Sequence, residues 1–225
     1  MTSLQSIEVG GTISEDRARA IEAATQRRPR ASEAAPARRD ARDPGLDSIR
    51  PLDPHELARL EPLWVALHDY HMLISPRLAG FHPRSPEESW RSRRARYARW
   101  LADPDTFVLV AERGGDLVGY AFVTFGMGWS SWNSGEPIAE LQTLSIAPSS
   151  RGQGLGSQLL AAVRDKLAST GIQYMAIGSL VSNIDAQRFY ERHGFNKAEL
   201  VLVGPTTTDV PSGLACSSAG QRYGL

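Results

Sequence analysis

Three glycines alternate with larger residues between Arg151 and Ser157, within the segment APSSRGQGLGSQLL (147–160). Glycine is used where the backbone needs positive φ, or where another group approaches more closely than a Cβ allows. One or two glycines suffice for a plain turn, so three indicate a backbone that is exposed to a ligand. The chemistry indicated is anion binding, because a helix that follows such a loop attracts negative charge at its N-terminus.

The glycine loop is flanked by a predicted strand and a predicted helix. Residues 138–146 are mostly apolar or tolerated in strands, and Pro148 ends that run. After the loop, apolar residues recur every three or four positions until a glycine at position 171. This helical face consists of Leu155, Leu159, Ala162, Val163 and Leu167.

Two familiar phosphate-binding loops do not fit this segment. The nucleoside-triphosphate loop ends in Gly-Lys followed by Ser or Thr, and this loop contains no lysine. The dinucleotide fingerprint G-x-G-x-x-G would require glycine or alanine where Ser157 or Leu159 stands. The pattern that fits is R-x-x-G-x-G, formed by Arg151, Gly154 and Gly156.

A second motif follows in the segment SNIDAQRFYERHGF (182–195). A strand is predicted before it over residues 172–180, and Ser182 or Asn183 is expected to cap a short helix that a later glycine ends. Tyr190 stands seven residues after Asn183 and is followed by Gly-Phe.

Together these motifs resemble the acetyl-CoA signature of the GNAT superfamily of N-acetyltransferases, and the resemblance extends from Ser48 to Val203. It implies a mixed α/β (α+β) fold, with a mostly antiparallel central sheet, a splayed strand pair and helices on both faces. It also implies acetyl-CoA as the cosubstrate, with the pyrophosphate on the loop amides and the pantetheine arm along the preceding strand. The residues that the resemblance assigns to this cofactor are Leu144, Ser145, Ile146, Arg151, Gly152, Gln153, Gly154, Leu155, Gly156, Ser157, Asn183 and Tyr190.

The reaction implied is direct acetyl transfer to a primary amine of a small molecule or a protein, within a ternary complex. Tyr190 matches the family tyrosine that protonates the departing thiolate, and the alternative for Tyr190 is packing in the core. For the other assigned side chains the alternatives are structural, because Arg151 could form a salt bridge within the loop and Asn183 could act only as a helix cap.

An alkylamine with a pKa of about 10.4 must lose a proton before it attacks a thioester. Glu140 is the candidate base, and the alternative is an ordinary carboxylate at a strand end. Some members of the superfamily carry a glutamate on the following strand, where this chain has Gly178. The period of two along a strand is expected to place Glu140 on one face with three later residues. These are Gln142, Leu144 and Ile146.

The acceptor-binding region is predicted in the segment GMGWSSWNSGEP (126–137), which in the superfamily borders the acceptor pocket. Trp129 and Trp132 stand there among Gly and Ser residues. With Tyr70 at the end of the first helix, they are the candidate substrate-binding residues. Exposed aromatic side chains in a loop indicate either a flat or apolar acceptor or contact with a second copy of the chain in a homodimer.

Composition argues against several other classes of protein. The 25 Lys and Arg residues balance the 25 Asp and Glu residues, so no overall charge directs the chain to nucleic acid or a membrane. The longest apolar stretch, 117–125, is too short to cross a bilayer, and no secretory signal is apparent. Because Cys216 is the only cysteine, neither a disulfide nor a metal site is expected, and His68 and His71 are interpreted as partly buried helix residues. A cytoplasmic protein is the expectation.

The chain is predicted to consist of three parts. Residues 1–47 contain no aromatic residue and are expected to be disordered, residues 48–204 form the acetyltransferase domain, and residues 205–225 form a flexible tail. The first elements predicted in the domain are a strand over 48–52, helices over 54–69 and 86–101, and hairpin strands over 106–112 and 117–125.

Two classes of function are left open by these patterns. One is an acetyl-CoA-dependent N-acetyltransferase, and the other is a non-catalytic CoA-binding or regulatory module without a competent base. Release of thiol from acetyl-CoA in the presence of amines, compared with binding alone, separates the two.

Deletion of residues 1–46 is expected to leave the melting temperature and the acetyl-transfer rate almost unchanged, because a segment without aromatic residues buries little apolar surface. Thermal melting and steady-state kinetics of the truncated chain measure this. A loss of several degrees would show that the segment docks on the domain.

Overall fold

The computed structural model of the chain describes residues 45–76, 78, 81–134 and 137–204. Most of the two predicted tails therefore lies outside the described residues. The helices and strands are β1 Ser48–Pro51, a 3₁₀ helix Pro54–Leu60, α1 Glu61–Ile74, α2 Pro86–Trp100, β2 Phe107–Arg113, β3 Asp116–Gly126, β4 Ile138–Ile146, a 3₁₀ turn Pro148–Ser150, α3 Leu155–Ala168, β5 Met175–Ala176 and α4 Ile184–Arg192.

The five strands form one open sheet in the order β1-β2-β3-β4-β5, which confirms the predicted mixed α/β fold. All neighbours are antiparallel except β4 and β5, which run parallel. That pair joins only Ala139 to Met175 and Glu140 to Ala176. The strand predicted over 172–180 is thus shortened to two residues. Beyond Glu140, the described chain gives β4 no strand neighbour on that side, so the two strands diverge.

A β-bulge lies in β4 at Gln142. Phe122 of β3 pairs with Thr143 and the next residue, Val123, pairs with Leu141, so Gln142 is the extra residue. A bulge of this kind interrupts the alternation of side chains between the two faces of the sheet. Its position matters because Gln142 separates the predicted base from the predicted cofactor-binding residues.

The bulge overturns the prediction that Glu140 shares a face with Leu144 and Ile146. Those two side chains pack against the core that includes α3 and α4. The carboxylate of Glu140 instead bonds Gln142, whose amide also bonds Thr124 on the opposite face. Only the expectation that Glu140 and Gln142 lie on the same face is confirmed. Period-two counting failed because one inserted residue reverses the sense of every later side chain.

Helices cover both faces of the sheet, as predicted. One face packs against α3 and α4, with Leu159 and Val163 fully buried there. The other face packs against the 3₁₀ helix, α1 and α2. On that side Tyr97 of α2 stacks on Phe122 of β3, with ring centroids 4.1 Å apart and planes inclined by 14°.

The helix predicted over 54–69 is divided into the 3₁₀ helix and α1. Pro62 lies in the first turn of α1 and has no N–H to donate to the carbonyl of Ala58, so a continuous α-helix cannot form across this point. Asp53 caps the first piece, and its side chain accepts a hydrogen bond from the backbone N–H of His55 at 2.9 Å. The helix over 86–101 forms almost as predicted and begins with a capping box between Ser85 and Glu88.

A chain of buried hydroxyl groups links α2 to the bulge. The single hydroxyl proton of Thr143 is donated to the carbonyl of Gln142 at 2.7 Å. Tyr97 must then donate to Thr143, at 2.7 Å, and Tyr120 to Tyr97, at 3.1 Å. Burial raises the pKa of both tyrosines, which keeps the phenols protonated as donors. The bulge is therefore held in place from inside the core.

The contacts of the folded domain begin just before the predicted boundary at residue 48. Leu46 packs against the core under α3, and the side chain of Asp47 accepts a hydrogen bond from the backbone N–H of Gly114 at 2.5 Å. Deletion of residues 1–46 removes the contact of Leu46, whereas a truncated chain that begins at Gly45 retains both contacts.

Candidate cofactor and acceptor site

Two glycines of the loop meet a need of the backbone. Gly152 and Gly154 have φ angles of 75° and 80°, in the left-handed region that favours glycine. A Cβ on Gly156 would make an ordinary van der Waals contact, 3.4 Å from Cζ of Phe189 in α4. The conformation of the loop thus requires glycine at two positions, and at Gly156 α4 packs against the start of α3.

The N-terminus of α3 presents backbone donors at the end of the loop. Gly154 occupies the N-cap position, and no side chain caps the helix there. The first N–H groups of a helix have no partner within the helix, so those of Leu155, Gly156 and Ser157 are available to an anion. The loop residues predicted to bind the cofactor are therefore brought together.

Side chains from outside the loop hold it in this conformation. Gln153 donates to the carbonyl of Ser149 at 3.0 Å and accepts from the guanidinium of Arg113 at 3.1 Å. Arg113 also donates to the hydroxyl of Ser150 at 3.1 Å. The side chain of Gln153 thus supports the loop, and only its backbone N–H is left for a ligand. Sequence analysis missed Arg113, whose position at the end of β2 carries no motif.

Arg151 connects the loop to β4 and to α1. Its Nε donates to the carbonyl of Ile146 at 3.2 Å, and its guanidinium lies 5.4 Å from the ring centroid of Tyr70. The structure places Tyr70 beside this loop arginine, and its predicted contact with the acceptor stays a prediction. Ser145 has its hydroxyl turned away, donating to the carbonyl of Leu63 in α1 at 3.0 Å. Ser145 can therefore serve a cofactor only through its backbone.

The second motif packs directly on the first. Asn183 is buried and caps α4, with its side-chain oxygen accepting from the backbone N–H of Ala186 at 3.2 Å. His193 at the end of α4 lies 2.8 Å from the carbonyl of Phe189 through Nδ1 and 2.9 Å from the hydroxyl of Ser157 through Nε2. Because a carbonyl only accepts, Nδ1 donates there, and a neutral ring accepts the proton of Ser157 at Nε2. Sequence analysis missed His193 as the link between the motifs.

Tyr190 lies in the core between α3 and α4, with 9% of the residue exposed. Its ring meets Phe189 and Phe195 edge to face, at centroid distances of 5.2 Å and 5.6 Å. The hydroxyl bonds no described residue and still reaches the surface. Burial raises the pKa of Tyr190 above its usual range, so the phenol stays protonated at neutral pH. The structure therefore provides both the packing and an unoccupied proton donor.

Glu140 is half-buried at the point where β4 and β5 part. Its Oε2 accepts a hydrogen bond from the side-chain amide of Gln142 at 2.7 Å, and the same amide lies 2.9 Å from the hydroxyl of Thr124. A Cβ on Gly126 would collide with Oε1 of Glu140 and lie 3.0 Å from its Cδ. The glycine at the end of β3 thus leaves room for this carboxylate.

The two predicted acceptor-binding tryptophans have different surroundings. Trp129 donates to the carboxylate of Glu199 at 3.2 Å, which ties the loop after β3 to the last described segment. Trp132 is 72% exposed.

His68 is buried and bonds the carbonyl of Arg84 at 3.1 Å and the carboxylate of Asp69 at 3.3 Å. Within the described ranges, no group of three or more His, Cys, Asp or Glu residues could hold a metal ion.

No helix in the described part of the chain has the length and apolar character required to span a membrane.

The sheet is mixed and opens beside α3, a helix that follows the glycine loop and has no side-chain cap. This arrangement is the one expected of the class of acetyl-CoA-dependent N-acetyltransferases. The chain belongs to the Acetyltransferase (GNAT) family, whose model matches residues 64–195. It is therefore an acyltransferase, and the family resemblance inferred from the two motifs is confirmed.

Similar proteins include two named acetyltransferases and one solved complex. An aminoalkylphosphonate N-acetyltransferase of Salmonella typhimurium is 31% identical over 114 residues, which cover 50% of this chain and 71% of that protein. A mycothiol acetyltransferase of Sanguibacter keddieii is 30% identical over 132 residues, covering 56% of this chain and only 39% of that protein. The structure of an aminoglycoside N-acetyltransferase, AAC(6')-Iy, in complex with CoA has a TM-score of 0.52 and 19% identity, covering 70% and 93% of the two chains.

Substitution Gly154→Asp is expected to abolish the rise in melting temperature that acetyl-CoA causes in the native protein. It places a negative charge at the N-terminus of α3, where an anionic ligand would lie, and it also strains a left-handed residue. Gly171→Asp is the matched control, because Gly171 has a φ of 77° and lies beyond the other end of α3. Thermal melting with and without acetyl-CoA measures both variants. An undiminished shift in Gly154→Asp would exclude the loop as the cofactor site.

Proposed function

We propose that the protein transfers the acetyl group of acetyl-CoA to a primary amine of a small molecule, by direct attack within a ternary complex. The observation that carries this proposal is the uncapped N-terminus of α3 beside the open edge of β4, with Glu140 at the start of that opening. The small-molecule acceptor is supported by the names of two similar proteins, which refer to aminoalkylphosphonates and aminoglycosides.

The residues around the opening fit the parts of acetyl-CoA. The N–H groups from Gly154 to Ser157 and the exposed cation of Arg151 suit a pyrophosphate. The edge of β4 at Leu144 and Ile146 faces no other strand in the described chain and suits the amides of a pantetheine arm. When bound, acetyl-CoA supplies an activated acyl group as a thioester. Asn183 contributes as the cap that positions α4, the helix that carries Tyr190.

Glu140 acts as the base in this proposal. It lies on the face of the sheet that α1 and α2 cover, whereas Leu144 and Ile146 face α3 and α4. An amine that approaches from the side of α1 and α2 therefore meets the carboxylate first and can lose its proton there, directly or through a water. The hydrogen bond from Gln142 fixes the orientation of the carboxylate.

Tyr190 acts as the acid. Its phenol is protonated because burial raises its pKa, and its hydroxyl is not engaged by a described residue. The same low-polarity surroundings would also raise the pKa of a thiol leaving group, which narrows the difference in acidity between that thiol and the phenol. Tyr190 lies on α4, which packs against the end of α3 that follows the glycine loop, and this position supports the role.

The test of the proposed function is thiol release from acetyl-CoA with a panel of primary amines, with product masses determined by mass spectrometry.

Glu140→Gln is expected to lower kcat by about 10²-fold or more and to keep acetyl-CoA binding, since general base catalysis is removed but the loop is intact. Gly126→Ala keeps the carboxylate but displaces it, and it should lower kcat as well. Binding of acetyl-CoA without turnover of any amine would instead identify a non-catalytic CoA-binding module.

Tyr190→Phe is expected to lower kcat by at least about 10²-fold while the fold and the affinity for acetyl-CoA persist, because it removes one donor and keeps the ring. Tyr190→Ala is the contrasting variant and should destabilise the protein by about 3 kcal/mol or more through the cavity that it leaves. Kinetics and melting curves of both variants are compared. If Tyr190→Phe retains most of its turnover with chemistry rate-limiting, Tyr190 serves only packing.

A further inference from the structure

Arg93 is a partly buried cation on the inner side of α2. Its guanidinium lies 4.1 Å from the ring centroid of Trp64 in α1 and 5.4 Å from that of Tyr97. It forms no ion pair or hydrogen bond with any described residue, and it stacks on these two aromatic rings. Removing a charge from water is costly unless an opposite charge accompanies it, so this guanidinium can bind an anion favourably.

His71 stands seven residues after Trp64 in α1 and therefore lies on the same face of that helix as the ring on which Arg93 stacks. Burial lowers the pKa of His71, and the electrostatic effects of His68 and Arg93 lower it further. The ring makes no hydrogen bond to a described residue, so its N–H is available as a donor. The nearby carboxylate of Asp69 is mostly exposed and bonds His68 instead. The two side chains thus offer a cation and a donor with no carboxylate between them.

The position of this pair relates it to the proposed acceptor side. Tyr97 has its ring against Arg93, while its hydroxyl bonds Thr143 beside the bulge of β4. Glu140 lies on the same face of the sheet, where it bonds Gln142 of that bulge. The side chain of Tyr97 therefore lies between Arg93 and the strand segment that carries the proposed base.

We propose that Arg93 and His71 bind an acidic group of the acceptor, so that the acceptor is an amine that also carries a carboxylate, a phosphonate or a phosphate. This inference rests on the proposed acetyl transfer and adds the substrate class. Arginine suits the role because its planar guanidinium donates two parallel hydrogen bonds to such groups. Stacking on Trp64 and Tyr97 fixes the plane of the guanidinium before the ligand arrives.

The experiment compares three amines of similar size, namely β-alanine, 2-aminoethylphosphonate and n-propylamine, in steady-state acetylation by the full chain. The native protein should show a KM at least about tenfold lower for one or both acidic amines than for n-propylamine. The preferred acidic amine distinguishes a carboxylate from a phosphonate site. Arg93→Gln should raise the KM of the acidic amine by about tenfold or more and leave the kinetics with n-propylamine unchanged.

The matched control is Arg96→Gln, on the same helix. Arg96 is exposed and lies 5.9 Å from the ring centroid of Trp100, so this variant also removes one charge and one aromatic contact. It should leave the preference for acidic amines intact. Arg93→Lys keeps the charge without the planar fork and should retain part of the preference. Melting curves of all the variants exclude unfolding as the cause of a change.

The proposed anion site would be excluded if Arg93→Gln kept the preference for the acidic amine, or if the native protein showed no such preference. Either result would leave the proposed acetyl transfer unaffected. Failure to acetylate any of the three amines would count against the proposed function. In that case methylphosphonate and acetate are titrated against the native protein and Arg93→Gln, with melting temperature as the readout. A rise in the native protein that Arg93→Gln lacks supports the anion site, and equal behaviour of both overturns it.

Discussion

The extra residue in β4 is the constraint on which the arrangement of this site depends. Because Gln142 interrupts the alternation, the strand turns Glu140 towards α1 and α2 while Leu144 and Ile146 face α3 and α4. The sheet itself thus separates the proposed base from the side chains of the later strand residues, which pack against the helix of the glycine loop. The hydroxyls of Thr143, Tyr97 and Tyr120 hold the bulge from within the core.

The glycine loop and the second motif form one unit in the folded chain. Phe189 packs beside Gly156 in the first turn of α3, and His193 bonds Ser157 in that same turn. A change in α4 would therefore be felt at the helix N-terminus that the cofactor is proposed to use. The glycine loop therefore depends on α4, which lies later in the chain. The loop amides can bind a ligand in a fixed geometry only when the start of α3 is held in place.

Sequence patterns predicted much of the framework because they are local. The strand, loop and helix around Arg151, the capping of α4 by Asn183 and the helix over 86–101 all follow from short-range periodicity, capping and glycine use. Other expectations failed where distant contacts decided the outcome. The strand after α3 kept only two paired residues, and Glu140 came to lie on the opposite face from Ile146. The assignment of Tyr70 to the acceptor stays a prediction, and the structure places its ring beside Arg151.

The sequence by itself determined the family and the glycine loop before α3, since R-x-x-G-x-G and the Asn–Tyr–Gly-Phe spacing are fixed by neighbouring residues. Only the tertiary structure decided which side chains meet. Arg113 supports the loop from β2, His193 reaches Ser157, and Arg93 lies against Trp64 without a carboxylate. Such pairs join residues far apart along the chain, and no period or spacing encodes them. The bulge at Gln142 has the same origin, because strand register is set by the packing of both faces of the sheet and not by the strand alone.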